Sequence, residues 1–326
     1  MAIDLLAIQP HKVSRDLSGY ITYIYGAAGV GKTTLCSQFP GALLLATEKG
    51  YNALPGIMVQ DITTWGEFKQ VIRELKKPEV KERFKTIIID TLDIAGALCE
   101  KYICNQLGIE TLGEGGWSVN GWARYKKEAE ESFRTITQQN YALVFISHDK
   151  DKTFKRKDGT EYNQIVPTAQ SSINDIVKNM VDLYGYAMIM PDGTRKLVFR
   201  SSDGSIDAKS RFKYMPAEID LSYEALVEAV NSAIDKEAAE HDGKFVTDER
   251  ITEIEAPEYD YGELMARFQE LAGKLMNENP QNGVKITAII DKYLGKGKKI
   301  GEATPAQVEM IYLIVTEIED TLIKPE

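Results

Sequence analysis

YITYIYGAAGVGKTT, residues 20–34, joins a β-branched and aromatic run to a glycine-rich turn, then to lysine and threonine. The run reads as a buried strand, the turn as a loop, and Lys32 onward as the start of a helix that stops before Pro40-Gly41. Gly26, Ala27, Ala28, Gly29, Val30, Gly31, Lys32, Thr33 and Thr34 follow the G-x4-G-K-[ST] pattern. Its glycines have a mechanical purpose, because successive backbone N–H groups must turn inward around phosphate oxygens and side chains would obstruct them. The helix adds positive partial charge at its start. Lys32 then supplies a compact cation for the β- and γ-phosphates, and the Thr33 hydroxyl a ligand for Mg²⁺. A nucleoside triphosphate, taken as ATP with Mg²⁺, is the expected ligand. The pattern arises by chance in roughly one chain in a hundred of this length, and the flanking strand and helix make coincidence rarer still.

Working outward, Ala42–Ala46 reads as a second strand ending in Thr47-Glu48, and Trp65–Lys76 as a helix with Phe68, Val71, Ile72 and Leu75 on one face. Thr86–Asp90 is a third buried strand capped by an acid, followed by a helix over Ile94–Leu107. After the helix Ala123–Gln139, Tyr141–Ile146 is a fourth strand ending in Ser147-His148. Tyr184–Met190 and Arg195–Arg200 flank Pro191-Asp-Gly-Thr194, a hairpin signal. This order predicts an α/β fold with a mostly parallel twisted sheet and a late antiparallel hairpin at one side. Asp90 stands where an acid holds Mg²⁺ opposite the phosphates; a helix cap is the alternative, and Asp93 is a weaker competitor. Glu48 ends the second strand, which follows the loop's helix, at the carboxyl edge where such sheets bind ligands, and is a candidate to activate water; a surface glutamate is the alternative. His148, at the same edge, is a candidate γ-phosphate sensor or a turn cap.

The chain has 326 residues, 43% hydrophobic and 27% charged, which suits a soluble globular protein with one large domain and a smaller one. No apolar run approaches the roughly 18 residues of a membrane span, and the first ten residues make a poor signal peptide. A cytoplasmic location without membrane association is expected. Cys36, Cys99 and Cys104 are scattered, and three histidines show no zinc spacing. The net charge of −10 argues against a wholly basic coat. Ten acids against three bases fall in residues 235–260, which read as an acidic linker. The expected domains are therefore a core over 1–234, that linker, and a small C-terminal helical module over 261–326. In the module Leu264, Phe268, Leu271 and Leu275 share a face, and Thr304-Pro305-Ala306-Gln307 is a capping start for a helix carrying Val308, Ile311, Val315 and Ile318.

Gly26–Thr34, the strand-end glutamate in LLLATEKG, the IIID strand and the polar pair in VFISHDK together resemble the RecA/RadA superfamily of ATPases. The resemblance implies a RecA-like P-loop NTPase core, with Glu48 as catalytic base and His148 coupling nucleotide state to a DNA-binding loop. Ala208-Lys209-Ser210-Arg211 is similar to the Lys-x-Arg finger that circadian-clock and hexameric-helicase relatives insert into a neighbour's ATP site. Lys209 and Arg211 would then act in trans, with ATP bound between the subunits of a homo-oligomer, ring or filament; a solvated basic strand end is the alternative. More narrowly, the first 230 or so residues resemble the phage-encoded minimal RecA-like single-strand annealing proteins, the fourth "Sak" group, which implies the cytoplasm of a bacterial host. His148 stands where RecA itself carries glutamine, and the acidic stretch and tail lie outside the resemblance.

RecA-like proteins contact single-stranded DNA through two loops, which correspond here to Gly108–Tyr125 and Asp149–Pro167. The first places Trp117 and Trp122 among glycines, suited to stacking on unpaired bases at roughly 1–3 kcal/mol each; packing as loop anchors is the alternative. The second carries Lys150, Lys152, Lys155, Arg156 and Lys157, suited to tracking phosphates, though Asp149, Asp151 and Asp158 partly neutralise it. The leading expectation is a DNA-stimulated ATPase for recombination or annealing that binds single-stranded DNA. A replicative helicase-type motor or loader is the second, and a signalling or assembly ATPase with a protein partner the third. The helical module is expected to recruit a single-strand-binding or replication protein.

Overall fold

A computed structural model describes Leu6, residues 8–250 and residues 259–323. The chain divides into two compact units, Met1–Glu255 and Ala256–Glu326.

The first unit begins with β1 (Val13–Ser14), β2 (Ile21–Gly26), α1 (Lys32–Cys36), β3 (Ala42–Ala46) and β4 (Met58–Asp61). Then come α2 (Trp65–Glu74), α3 (Pro78–Arg83), β5 (Thr86–Asp90), α4 (Leu92–Leu107), α5 (Gly116–Val119) and α6 (Gly121–Gln138). After β6 (Ala142–Ser147), a long hairpin of β7 (Asp149–Lys155) and β8 (Glu161–Pro167) leads to α7 (Ser171–Met180). The unit finishes with β9 (Leu183–Ile189), β10 (Arg195–Val198), β11 (Lys209–Ser210), β12 (Glu218–Asp220), α8 (Tyr223–Ala239) and β13 (Val246–Thr247).

Nine strands form the main sheet in the order β12-β10-β9-β2-β6-β5-β3-β4, with β11 also on β9. The six from β9 to β4 are parallel, and β10, β11 and β12 are antiparallel additions at one side. This is the predicted RecA-like architecture. The continuous apolar runs follow from its geometry, since successive side chains point to opposite faces and both faces are covered. Tyr23, Leu45, Ile87, Ile89 and Phe145 pack with Trp65, Phe68, Cys99 and Phe133 on one face. Ile24, Leu44, Ile88, Val144 and Ile146 pack with Val30, Leu35, Leu226 and Val230 on the other. Each such side chain contributes about 1.5–3 kcal/mol on burial. Because β6 lies between β2 and β5, the ends of β2, β6, β5 and β3 are neighbours along the carboxyl edge.

The boundary expected at residues 234/235 is corrected. Helix α8 runs through it, burying Ala233, Ile234 and Ala238, and β13 pairs in parallel with β1, Val13 opposite Val246. Arg15 bridges Asp235 at 2.7 Å and Asp248 at 3.0 Å, and Arg250 Nε donates to the Ser18 carbonyl at 3.1 Å. Among the described acids of that stretch, Asp235 and Glu237 lie on α8, and Asp248 and Glu249 lie on the segment that returns to the core. The remainder of that stretch, residues 251–258, lies outside the described residues.

The second unit holds α9 (Tyr261–Glu278), α10 (Asn282–Leu294) and α11 (Val308–Ile318). Phe268, Leu271 and Leu275 meet Ile286, Ile290, Ile311 and Val315 in its own core, as the helical spacing predicts. Asp260 caps α9 by accepting from the Glu263 N–H at 2.7 Å, and a short 3₁₀ turn over Pro305–Gln307 carries the Thr304 capping box into α11. No described helix is long and apolar enough to cross a membrane.

Candidate functional site

The loop after β2 turns on three glycines with positive φ: Gly26 at 155°, Gly29 at 79° and Gly31 at 108°. Gly26 also permits a close approach, since a Cβ there would lie 2.2 Å from the Ala187 carbonyl oxygen. Lys32, only 6% exposed, folds back across the loop and donates to the Gly26 carbonyl at 2.7 Å and to that of Ala27 at 2.9 Å. Burial pushes its ammonium pKa down, opposed by the charges of Asp90, Asp149 and Glu48. The first turn of α1 leaves backbone N–H groups without intrahelical partners, which supports the cradle made by the loop.

Thr33 Oγ1 donates to Asp90 Oδ2 at 2.7 Å, joining the two predicted Mg²⁺ ligands. Asp90 is 5% exposed, and burial raises its carboxyl pKa, opposed by the Thr33 hydrogen bond and by Lys32 and His148, with Glu48 adding to the rise. A hydroxyl and a carboxylate are hard oxygen donors of the kind Mg²⁺ takes alongside substrate phosphates and water. No cluster of three or more His, Cys, Asp or Glu among the described residues would hold a metal unaided. The donor set therefore fits a cation that arrives with a nucleotide. Asp93, the weaker competitor, accepts instead from the Thr168 hydroxyl at the root of the β7–β8 hairpin.

Glu48 and His148 come together, with His148 Nε2 3.3 Å from Glu48 Oε1. Both side chains are about one-third exposed and so reachable by solvent. The intervening position of β6 brings this about, because it sets His148 between the loop and the strands that carry Asp90 and Glu48. Thr47 fixes the spacing: its N–H donates to the Asp90 carbonyl at 2.8 Å, and its hydroxyl accepts from the Thr91 N–H at 2.9 Å. Sequence reasoning passed over Thr47, whose only signal is its place before a strand-end acid.

Lys209 and Arg211 stand elsewhere. Strand β11 pairs with Leu183 and Tyr184, the first residues of β9, whereas Gly26 lies level with Ala187. The separation along the strands is roughly 10–13 Å, toward the amino edge. Lys209 Nζ donates to the Lys178 carbonyl, and Arg211 donates to the Asn179 carbonyl at 2.9 Å while pairing with Asp182 at 3.2 Å. The structure does not bring either residue to its own chain's phosphate loop.

The two loop regions differ in character. Trp117, on α5, is 96% exposed, while Trp122, at the start of α6, is 42% exposed and meets Tyr125 edge-on at 6.2 Å. The second region is a regular hairpin in which Phe154 faces Tyr162 and Lys152 faces Gln164. Alternation sorts its side chains. Lys152 sits over the Phe154 ring at 4.9 Å, Arg156 over the Tyr162 ring at 4.6 Å, and the two rings stack at 5.6 Å. The acids take the other face: Asp149 accepts from Tyr186 at 3.1 Å, and Asp151, two residues on, shares its side. Lys155 shares that acidic face, opposite Glu161, and Lys157 stands in the turn, so the five-residue basic run is not one surface. Phe154 and Tyr162 were missed because their pairing depends on the register.

Comparison with known proteins agrees with this geometry. Residues 18–212 match the family model described as an AAA domain. The chain is 29% identical over 332 residues to the SPbeta prophage-derived uncharacterized protein YorG of Bacillus subtilis (strain 168), a match covering 99% of each chain. With the family match spanning more than half of the chain and a RecA-like sheet around the phosphate loop, the protein belongs to the AAA-domain family and is a P-loop ATPase.

Proposed function

We propose that this ATPase binds single-stranded DNA through the β7–β8 hairpin and acts as an oligomer in recombination or annealing, in the manner of the minimal RecA-like proteins. One observation carries the reading: a stacked ring pair flanked by two cations, on a hairpin that begins one residue after His148. Rings stack on bases of any sequence, and Lys and Arg meet phosphates. The exposed Trp117 adds a second stacking surface after the acid strand.

MgATP is the proposed substrate. Thr33 and Asp90 would hold Mg²⁺, which when bound neutralises phosphate charge. Lys32 releases the two loop carbonyls and turns its ammonium to the β- and γ-phosphates. Glu48 accepts a hydrogen bond from the attacking water and orients it at the γ-phosphate. His148, bonded to Glu48 and continuous with β7, passes the change at the phosphate to the hairpin. Lys209 and Arg211 act on a neighbouring subunit's nucleotide, for which their distance from their own loop is suited.

The test measures ATP hydrolysis and strand binding with and without single-stranded DNA, for wild type, a Lys152→Ala/Phe154→Ala/Arg156→Ala variant and a Lys155→Ala/Lys157→Ala control. Loss of stimulation in the first and its retention in the second are expected. Equal behaviour of both variants removes the hairpin face from the reading. Absence of DNA binding in every nucleotide state would redirect the function to a protein partner, and directional strand separation would favour a motor.

A further inference from the structure

A cation that the sequence did not single out reaches the phosphate loop from its other side. The β9–β10 hairpin turns at the carboxyl edge, closed by the Met190 N–H to the Thr194 carbonyl at 2.8 Å, and Arg195 is the first residue of the return strand. Arg195 shares a strand face with Leu197, which packs in the same core as Val30 and Leu35 of the loop and α1. Its guanidinium therefore hangs over the loop: a Cβ built on Gly31 would lie 3.6 Å from Arg195 Nη1 and 3.5 Å from Leu221 Cδ2. Leu221 is held there by its N–H to the Arg195 carbonyl at 3.0 Å.

The adjoining cation is already engaged, Lys196 with Asp220 at 2.7 Å. Arg195 is exposed, and its guanidinium has no hydrogen-bond or ion-pair partner among the described residues. A planar cation of this kind suits phosphate oxygens bidentately or the face of a purine.

Strand order decides which part of the nucleotide it meets. Asp90, Glu48 and His148 lie on the β6–β5–β3 flank of β2, where the transferred phosphate must be, and Arg195 and Leu221 lie on the β9–β10 flank. We propose that Arg195 is a nucleotide-binding residue acting within its own chain on the part of the nucleotide that is not transferred, the α-phosphate and adenosine, with Leu221 as an apolar wall beside it. Contacts to that part are made equally before and during hydrolysis, so they set affinity rather than turnover. The proposal rests on nucleotide binding by the phosphate loop.

The experiment is calorimetric titration of the full chain with Mg-ADP and with a non-hydrolysable ATP analogue, alongside steady-state ATPase, for wild type, Arg195→Ala and Arg195→Lys. Arg195→Ala is expected to weaken both ligands by a similar factor, roughly ten- to a hundredfold, and to raise KM with kcat little changed. Arg195→Lys should recover part of the affinity, and the nucleotide-free melting temperature should stay at the wild-type value. ADP affinity within twofold of wild type in Arg195→Ala overturns the proposal, as does a fall in kcat with ADP affinity intact. Wild type that binds neither nucleotide would overturn the phosphate-loop reading and this proposal with it.

Discussion

Gly26→Ala places a methyl carbon 2.2 Å from the Ala187 carbonyl oxygen at a φ of 155°, whereas Gly29→Ala, at 79°, meets nothing within 4 Å. A carbon and an oxygen rest at about 3.3–3.6 Å, so the first change must drive β2 and β9 apart by about 1 Å at the last rung of their parallel ladder. Overpacking of that kind costs about 1–3 kcal/mol, and backbone strain at such a φ adds about 1–3. A total on the order of 3–5 kcal/mol is expected for Gly26→Ala. Gly29→Ala carries only the left-handed penalty of about 1–2 kcal/mol. For a unit of this size each kcal/mol moves the melting temperature by about 2–4 °C. Nucleotide-free thermal and urea melts should therefore place Gly26→Ala roughly 6–20 °C below wild type and Gly29→Ala roughly 2–8 °C below. A Gly26→Ala variant within about 2 °C of wild type, or one less damaged than Gly29→Ala, would refute the steric argument.

Glu48→Gln should slow phosphate release by about 10²–10⁴-fold while leaving ATP affinity in place; loss of affinity instead would assign Glu48 to holding the nucleotide. Truncation after Glu255 should leave the core's melting temperature unchanged, whereas truncation after Ile234 removes β13, Ala238 and both partners of Arg15 and should lower it. Equal melting of the two truncations contradicts the corrected boundary. Burial pushes the phenols of Tyr20, Tyr141 and Tyr186 up to about 12, and those of Tyr23, Tyr25 and Tyr184 upward too. The folded chain keeps protons that the unfolded chain releases, so stability holds below about pH 10 and is lost as pH rises from there through 12. Urea midpoints followed beside phenolate absorbance check this, and a midpoint flat across that window would contradict it.

The phosphate loop was legible because its chemistry is local: nine consecutive residues carry the turn, the cation and the hydroxyl. Asp90, Glu48 and His148 were legible as strand ends, since parallel strands in one sheet deliver their last residues to one edge. What could not be read was anything set by which strands are neighbours. Arg195 reaches Gly31 only because β9 lies beside β2 and β10 beside β9, and Lys209 falls at the far edge for the same reason. The basic segment over Asp149–Pro167 was expected, yet its division into an aromatic, basic face and an acidic one depends on Phe154 facing Tyr162. Composition misled at residues 235–250, where acids on the exposed side of α8 concealed the apolar side that includes Ile234 and Ala238.

The tryptophans give the molecule an optical reporter without any label. Of the three in the chain, Trp65 is enclosed, with its indole N–H on Glu128 at 2.8 Å, whereas Trp117 is bathed in solvent. Intrinsic fluorescence should therefore divide into a blue, quencher-resistant component from Trp65 and a red component open to iodide. A ligand that covers α5 would shield the red component and leave the blue one unmoved, so occupancy of that loop can be titrated on the unmodified protein.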